Sequence, residues 1–167
     1  MRYAAIDEWE TFVFHDAEIV RIERDGQRMT WIVRNVNVTR QNSQNDHPTD
    51  MCIAEARVAF EAVEIKGLTF CGYTSYDRDG EIVESPPREV PVEQAEAILR
   101  DLRGGIILYI STREKPPKRC DRRESTCMLD HNANVFDVTF AFGRVVISWQ
   151  EFAGSAWYVC RQNPSAL

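Results

Sequence analysis

The chain has 167 residues, with 26 acidic and 20 basic side chains, a formal charge of −6, and 44% hydrophobic residues. That is enough apolar side chain to bury one core, in a single domain spanning residues 1–167. Apolar runs fall short of the ~18 residues that a membrane helix needs, Asp7 and Glu8 break the start before a secretory apolar region can form, and the composition is too hydrophobic for a disordered chain; the expectation is a cytoplasmic globular protein with no membrane association.

Asp7 and Glu10 have capping-box spacing, which predicts one short helical turn over 8–12. Residues 17–23 and 29–38 are β-branched and aromatic runs flanking Asp25-Gly26. An Asp-Gly pair takes positive φ readily, so this is a tight hairpin. Residues 39–50 contain no apolar side chain other than Pro48 and read as a long loop. A strand follows over 52–66, but its parity changes midway. Cys52, Ala54, Ala56, Val58 and Phe60 share one face, and Val63 and Ile65 share the other. Such a change requires a bulge or sharp bend near Ala62. Residues 68–73 read as a further strand, and Asp79-Gly80 as a second hairpin joining 73–78 to 81–84.

The helical signal falls between Pro91 and Gly104. Val92, Ala95, Ile98, Leu99 and Leu102 follow the spacing of one helix face. Glu93 and Glu96 precede Arg100 and Arg103, which suits the helix dipole. Residues 106–111 form a continuous apolar strand, and residues 112–134 read as a second long loop. Phe136, Val138, Phe140 and Phe142 then alternate with smaller or more polar residues, as in a half-buried antiparallel strand. Residues 145–151 and 156–161 complete a predicted three-stranded meander. The sum is a mainly β fold, an antiparallel sandwich or roll of about eight or nine strands, with one amphipathic helix over about 92–103. A helix of that length reaches only ~18 Å. It leaves sheet uncovered, to be closed by the other sheet, a loop or another copy, and a homodimer is expected.

The five cysteines are Cys52, Cys71, Cys120, Cys127 and Cys160. The odd count at modest density predicts free thiols in a reducing compartment. Cys52 and Cys160 read as small buried hydrophobes. Cys120, Cys127 and His131 form a C-x6-C-x3-H pattern, whose first step is too long for the tight chelate of a structural zinc site. A pair of loop cysteines beside a solvated histidine is the better reading, and no metal or cofactor is implied. His15-Asp16 resembles a base with its carboxylate, but neighbours in a strand point to opposite faces. A turn role for Asp16, accepting backbone N–H groups, fits better. Nucleophile-elbow, phosphate-loop, dinucleotide and zinc-helix motifs are absent from the sequence, and no catalytic residue is identified.

Arg113, Lys115, Lys118, Arg119, Arg122 and Arg123 lie in one short stretch around Pro116-Pro117. They are the expected contact residues for an acidic protein partner. With no aromatic residue interleaved, a nucleic acid is the poorer fit. Tyr73 and Tyr76, beside the second hairpin, are candidates for an exposed patch.

The run Phe14-His15-Asp16-Ala17-Glu18-Ile19 with the hairpin after it, and the late strand-turn-strand carrying Trp149 and Trp157, resemble small bacterial domains of uncharacterised families. These open with a His-Asp-(Ser/Ala) step into the first strand, and some are grouped with immunity proteins of bacterial toxin systems. The resemblance implies a cytosolic, immunity-like binding protein of bacteria and carries over no catalytic residue. The expected function is a non-catalytic binding or interaction domain. The alternative is a small-molecule-binding protein or enzyme with a pocket in a curved sheet, using His15, Asp16 or His131.

Overall fold

The structure, a computed structural model, describes residues 1–112 and 122–162. Its strands are β1 (Tyr3–Ile6), β2 (Phe12–Val13), β3 (Ala17–Asp25), β4 (Arg28–Val38), β5 (Met51–Glu61), β6 (Glu64–Phe70), β7 (Tyr73–Tyr76), β8 (Ile82–Ser85), β9 (Arg88–Val90), β10 (Gly105–Thr112), β11 (Arg123–His131), β12 (Asn134–Phe142), β13 (Arg144–Trp149) and β14 (Phe152–Ser155). Helix α1 spans Val92–Arg100 and helix α2 spans Trp157–Gln162, and Trp9–Thr11 form one 3-10 turn. The mainly β, antiparallel reading holds. The strand count does not: fourteen are present among the described residues. The surplus includes β1, β2, β9 and β14, each of four residues or fewer, too short to show a period.

Three further expectations are corrected. The 112–134 stretch is not all loop, because Arg123–His131 pairs along its length with β12 and over most of it with β10. Its inward positions are Ser125, Cys127 and Leu129, two of them small and weakly apolar, so the alternation was faint. Residues 156–161 are not a strand; α2 begins at Trp157. Residues 136–161 therefore form no meander, and β13 lies between β1 and β5, away from β12.

Twelve strands make one sheet in the order β1-β13-β5-β4-β3-β10-β11-β12-β6-β9, with β14 added to β5 and β2 to β4. Five inter-strand steps separate β5 from β12, about 24 Å on a flat sheet. Yet Phe60 of β5 lies with its ring centroid 5.4 Å from Phe140 and 5.2 Å from Phe142 of β12. Trp31 of β4 is 5.5 Å from Phe140. The sheet has rolled until its inner faces meet, and these rings, all at most 1% exposed, form its core.

The seam of the roll is narrow. β3 and β10 pair only through Gly105↔Ile19, Ile106↔Glu18 and Ile107↔Ala17. Past Ile19 the two strands diverge. There α1 lies against β3 and β6, burying Ala95, Leu99 and the following Leu102, with Arg24 Nη1 of β3 ion-paired to Glu96 at 3.0 Å. Gly104 ends this segment at φ +74°, donating its N–H to Ile19 O.

The bend foreseen near Ala62 is a left-handed residue, φ +56°. It carries the chain off β5 into β6, which lies beside β12 on the other half of the roll. The chain returns at Gly143, whose N–H donates to Glu61 O at 2.9 Å, and Arg144 then pairs with Glu61. Residues 62–143 are thus looped out between two neighbouring strands.

Candidate functional site

His15 sits where the sheet parts between β2 and β10. Asp16 has φ +64°, and this bend removes the strand geometry that would have separated the two side chains. His15 Nε2 lies 3.5 Å from Asp16 Oδ2, and its Nδ1 is 2.5 Å from Leu108 O. Leu108 O is an acceptor, so Nδ1–H donates to it, and the imidazole ties the turn before β3 to β10. Asp16 also ties the turn down through its own N–H, donated to Ile107 O at 2.9 Å. Beside the imidazole is an open cleft of about 480 Å³ lined by Trp9, Phe12, Phe14, His15, Tyr109 and Thr112, among others. Trp9 Nε1 donates to Thr112 Oγ1 at 3.0 Å, so the indole is already bonded within the chain. This is an apolar groove with one half-exposed histidine at its edge.

The other titratable candidates do not converge. Cys127 points into the core with no exposure, and burial raises its thiol pKa. His131 turns away to the α1–β10 connection, with Nε2 3.1 Å from Arg103 O. Cys120 lies outside the described residues. Among the described residues no three of His, Cys, Asp and Glu gather as a metal site would require. Cys52, expected to be buried, is only partly so; it lies one pair in from the 39–50 loop, opposite Asn37.

Of the basic stretch, Arg113, Lys115, Lys118 and Arg119 lie outside the described residues. Arg122 Nη1 bonds Glu64 Oε2 at 3.0 Å. Arg123 donates to Asp7 O at 3.3 Å, with Asp7 Oδ1 at 3.8 Å. The Arg122 pair is open to water and weak in the sense usual for surface pairs, whereas Arg123 Nη1 is itself buried. These contacts leave the two arginines available to a partner only in competition with carboxylates of the same chain.

The most unusual surface is the arm made by β7 and β8. These strands pair with each other and with no other strand among the described residues. The register Tyr73↔Ser85, Thr74↔Glu84, Ser75↔Val83, Tyr76↔Ile82 sets Tyr76 and Ile82 on one face and Tyr73 and Val83 on the other. All four are open to solvent, at 73%, 61%, 63% and 44% exposure. A lone exposed apolar side chain is ordinary, but a small ribbon that exposes two on each of its faces calls for a partner. Asp77 shapes the tip: its Oδ1 accepts the N–H groups of Asp79 and Glu81, each at 2.9 Å. Asp77, Asp79, Glu81 and Glu84, set against Arg78, make the arm acidic.

The root of the arm is fixed by close packing. A Cβ on Gly72 would lie 2.6 Å from Ser85 O and 2.8 Å from Pro87 Cδ, so only glycine fits. An open cavity of about 650 Å³ lies there, lined among others by Phe70, Cys71, Tyr73, Ser85, Arg88 and Asn134. Arg88 stacks on Phe70, with its guanidinium carbon 4.7 Å from the ring centroid. The sequence pointed to Tyr73 and Tyr76 but not to Ile82 and Val83. The missing signal is that the hairpin is apolar on both faces, so no single sheet face could bury it.

Comparison of the chain with protein-family models, with curated proteins and with solved structures gives no match.

Proposed function

We propose that the chain is a non-catalytic binding domain that grips a protein partner through the β7–β8 arm. The observation that carries this reading is the exposure of Tyr73, Tyr76, Ile82 and Val83 on a ribbon that pairs with no further strand among the described residues. Tyrosine supplies large contact area at low entropic cost, which is why it is enriched at the centres of interfaces. The acidic tip favours a protein over a nucleic acid, whose phosphates it would repel. The three described cysteines that remain free thiols, Cys52, Cys71 and Cys127, support the cytoplasm as the compartment. The immunity-like role suggested by the His15-Asp16 step is one form of this reading, with a toxin as the partner. The basic stretch from Arg113 to Arg123 remains a second contact for an acidic surface.

The test is differential capture from cell extract with the wild-type chain and with Tyr76→Ser/Ile82→Ser, which alters only exposed positions. Proteins retained by the wild type and lost from the folded variant support the arm as the binding surface. Equal retention by both removes the arm from that role.

A further inference from the structure

We infer that the partner of the β7–β8 arm is a second copy of the same chain, bound arm against arm; this rests on the reading of the arm as a binding surface. The first ground is the strand edge. A two-stranded ribbon alone is marginal in water and gains stability from a third strand. The free edge of β7 is Tyr73-Thr74-Ser75-Tyr76, with high β propensity and neither charge nor proline, the devices that normally guard an edge. The edge of β8 is guarded: it carries Glu84 and runs into Pro86-Pro87. The arm therefore presents one adhesive edge.

The second ground is charge. Two arms lying antiparallel along their β7 edges, about a two-fold axis, set each tip beside the root of the other. The tip carries Asp77, Asp79 and Glu81 against one arginine, Arg78. The root holds the open cavity with Arg88 in its wall. The same alignment keeps the two acidic tips at opposite ends of the joint, where they do not repel. It also brings the tyrosines of both arms side by side across the joint, and it closes on itself, so association stops at two.

Sedimentation velocity of the full chain at micromolar concentration reads the result. The inference requires a species of twice the 19.3 kDa chain mass. Tyr76→Asp should shift it to monomer. Asp79→Lys and Arg88→Glu should each weaken the dimer at least tenfold, and the two together should restore it, because the swap re-forms the tip-to-root pair. Circular dichroism confirms that each variant is folded. A wild-type monomer throughout, or a dimer indifferent to Tyr76→Asp and to both charge reversals, overturns the inference. A monomer whose arm still captures a different protein overturns the second copy as partner while leaving the arm a binding surface. A monomer that captures nothing through the arm overturns both.

Discussion

Cys127 has no exposure to solvent, and burial raises its thiol pKa, with the carboxylate of Asp137 acting in the same direction. The thiolate is the reactive form, so native protein treated with iodoacetamide should leave Cys127 unmodified. Cys52 and Cys71, partly exposed but also raised by burial, should react slowly. Peptide mapping before and after denaturation reads this, and rapid labelling of native Cys127 would show that the roll opens. Asp137 is itself raised by burial. Its folded pKa lies above the ordinary carboxylate value, so the folded state holds the proton more tightly. The stability it contributes is fully present below the unfolded pKa and is lost as pH rises through the folded one. Asp137→Asn should therefore raise the urea midpoint near neutral pH and leave it unchanged in acid. Asn37 offers a further residue-scale test: it is fully buried, and among the described residues neither its amide nitrogen nor its oxygen has a hydrogen-bond partner. Replacing an unbonded buried amide by an apolar group of similar breadth, Asn37→Val, should stabilise the fold by about 1–2 kcal/mol, measured by chemical denaturation.

Among the elements, α1 was the most legible, because Ala95, Ile98 and Leu99 repeat at the helical period and pack on the core, although the helix ends at Arg100 rather than 103, so that Leu102 is buried just beyond it, and Val92 of the expected stripe is open to solvent. Leu99→Asp places an unpaired charge against β3 and β6. It should cost about 3–5 kcal/mol, and wild-type stability in that variant would mean that the helix is not docked there. β12 was equally legible, since its four large apolar residues alternate and all four are buried. β11 was not, because Ser125 and Cys127 fill inward positions that a large neighbour, Phe140 among them, leaves narrow; Ser125 pairs directly with Phe140. α2 was hidden by Trp157, Tyr158 and Val159, residues that favour strands. Tertiary context overrides that preference: Ala156 N–H donates to Asp50 O, and Tyr158 Oη–H donates to Asp50 Oδ2 at 2.9 Å. The arm was half legible: Asp79-Gly80 announced the hairpin, whereas nothing in a single strand pattern reveals that the ribbon pairs with no further strand among the described residues.

For the whole molecule, composition and periodicity disclosed the kind of fold but not the order of its strands. No local pattern tells β5 that its neighbour will be β13, because the pairing Arg144↔Glu61 through Trp149↔Ala56 joins segments far apart in sequence. A chain ended at Phe142 should accordingly fail to fold cooperatively, since it would lack β13 and leave β1 without its partner; a sharp denaturation transition in such a chain would contradict this. The looped-out course of residues 62–143 also bears on how the protein is made. A ribosome releases β5 early, yet the strand that covers its outer edge emerges only after everything from Ala62 to Gly143 has been synthesised. At roughly 5–20 residues per second that wait lasts several seconds. Throughout it the nascent chain displays Ala56, Val58 and Phe60 beside an open row of backbone donors and acceptors. Vectorial synthesis thus exposes the N-terminal half to wrong pairings before the right one exists, and places this chain among those that gain most from a chaperone at the exit tunnel.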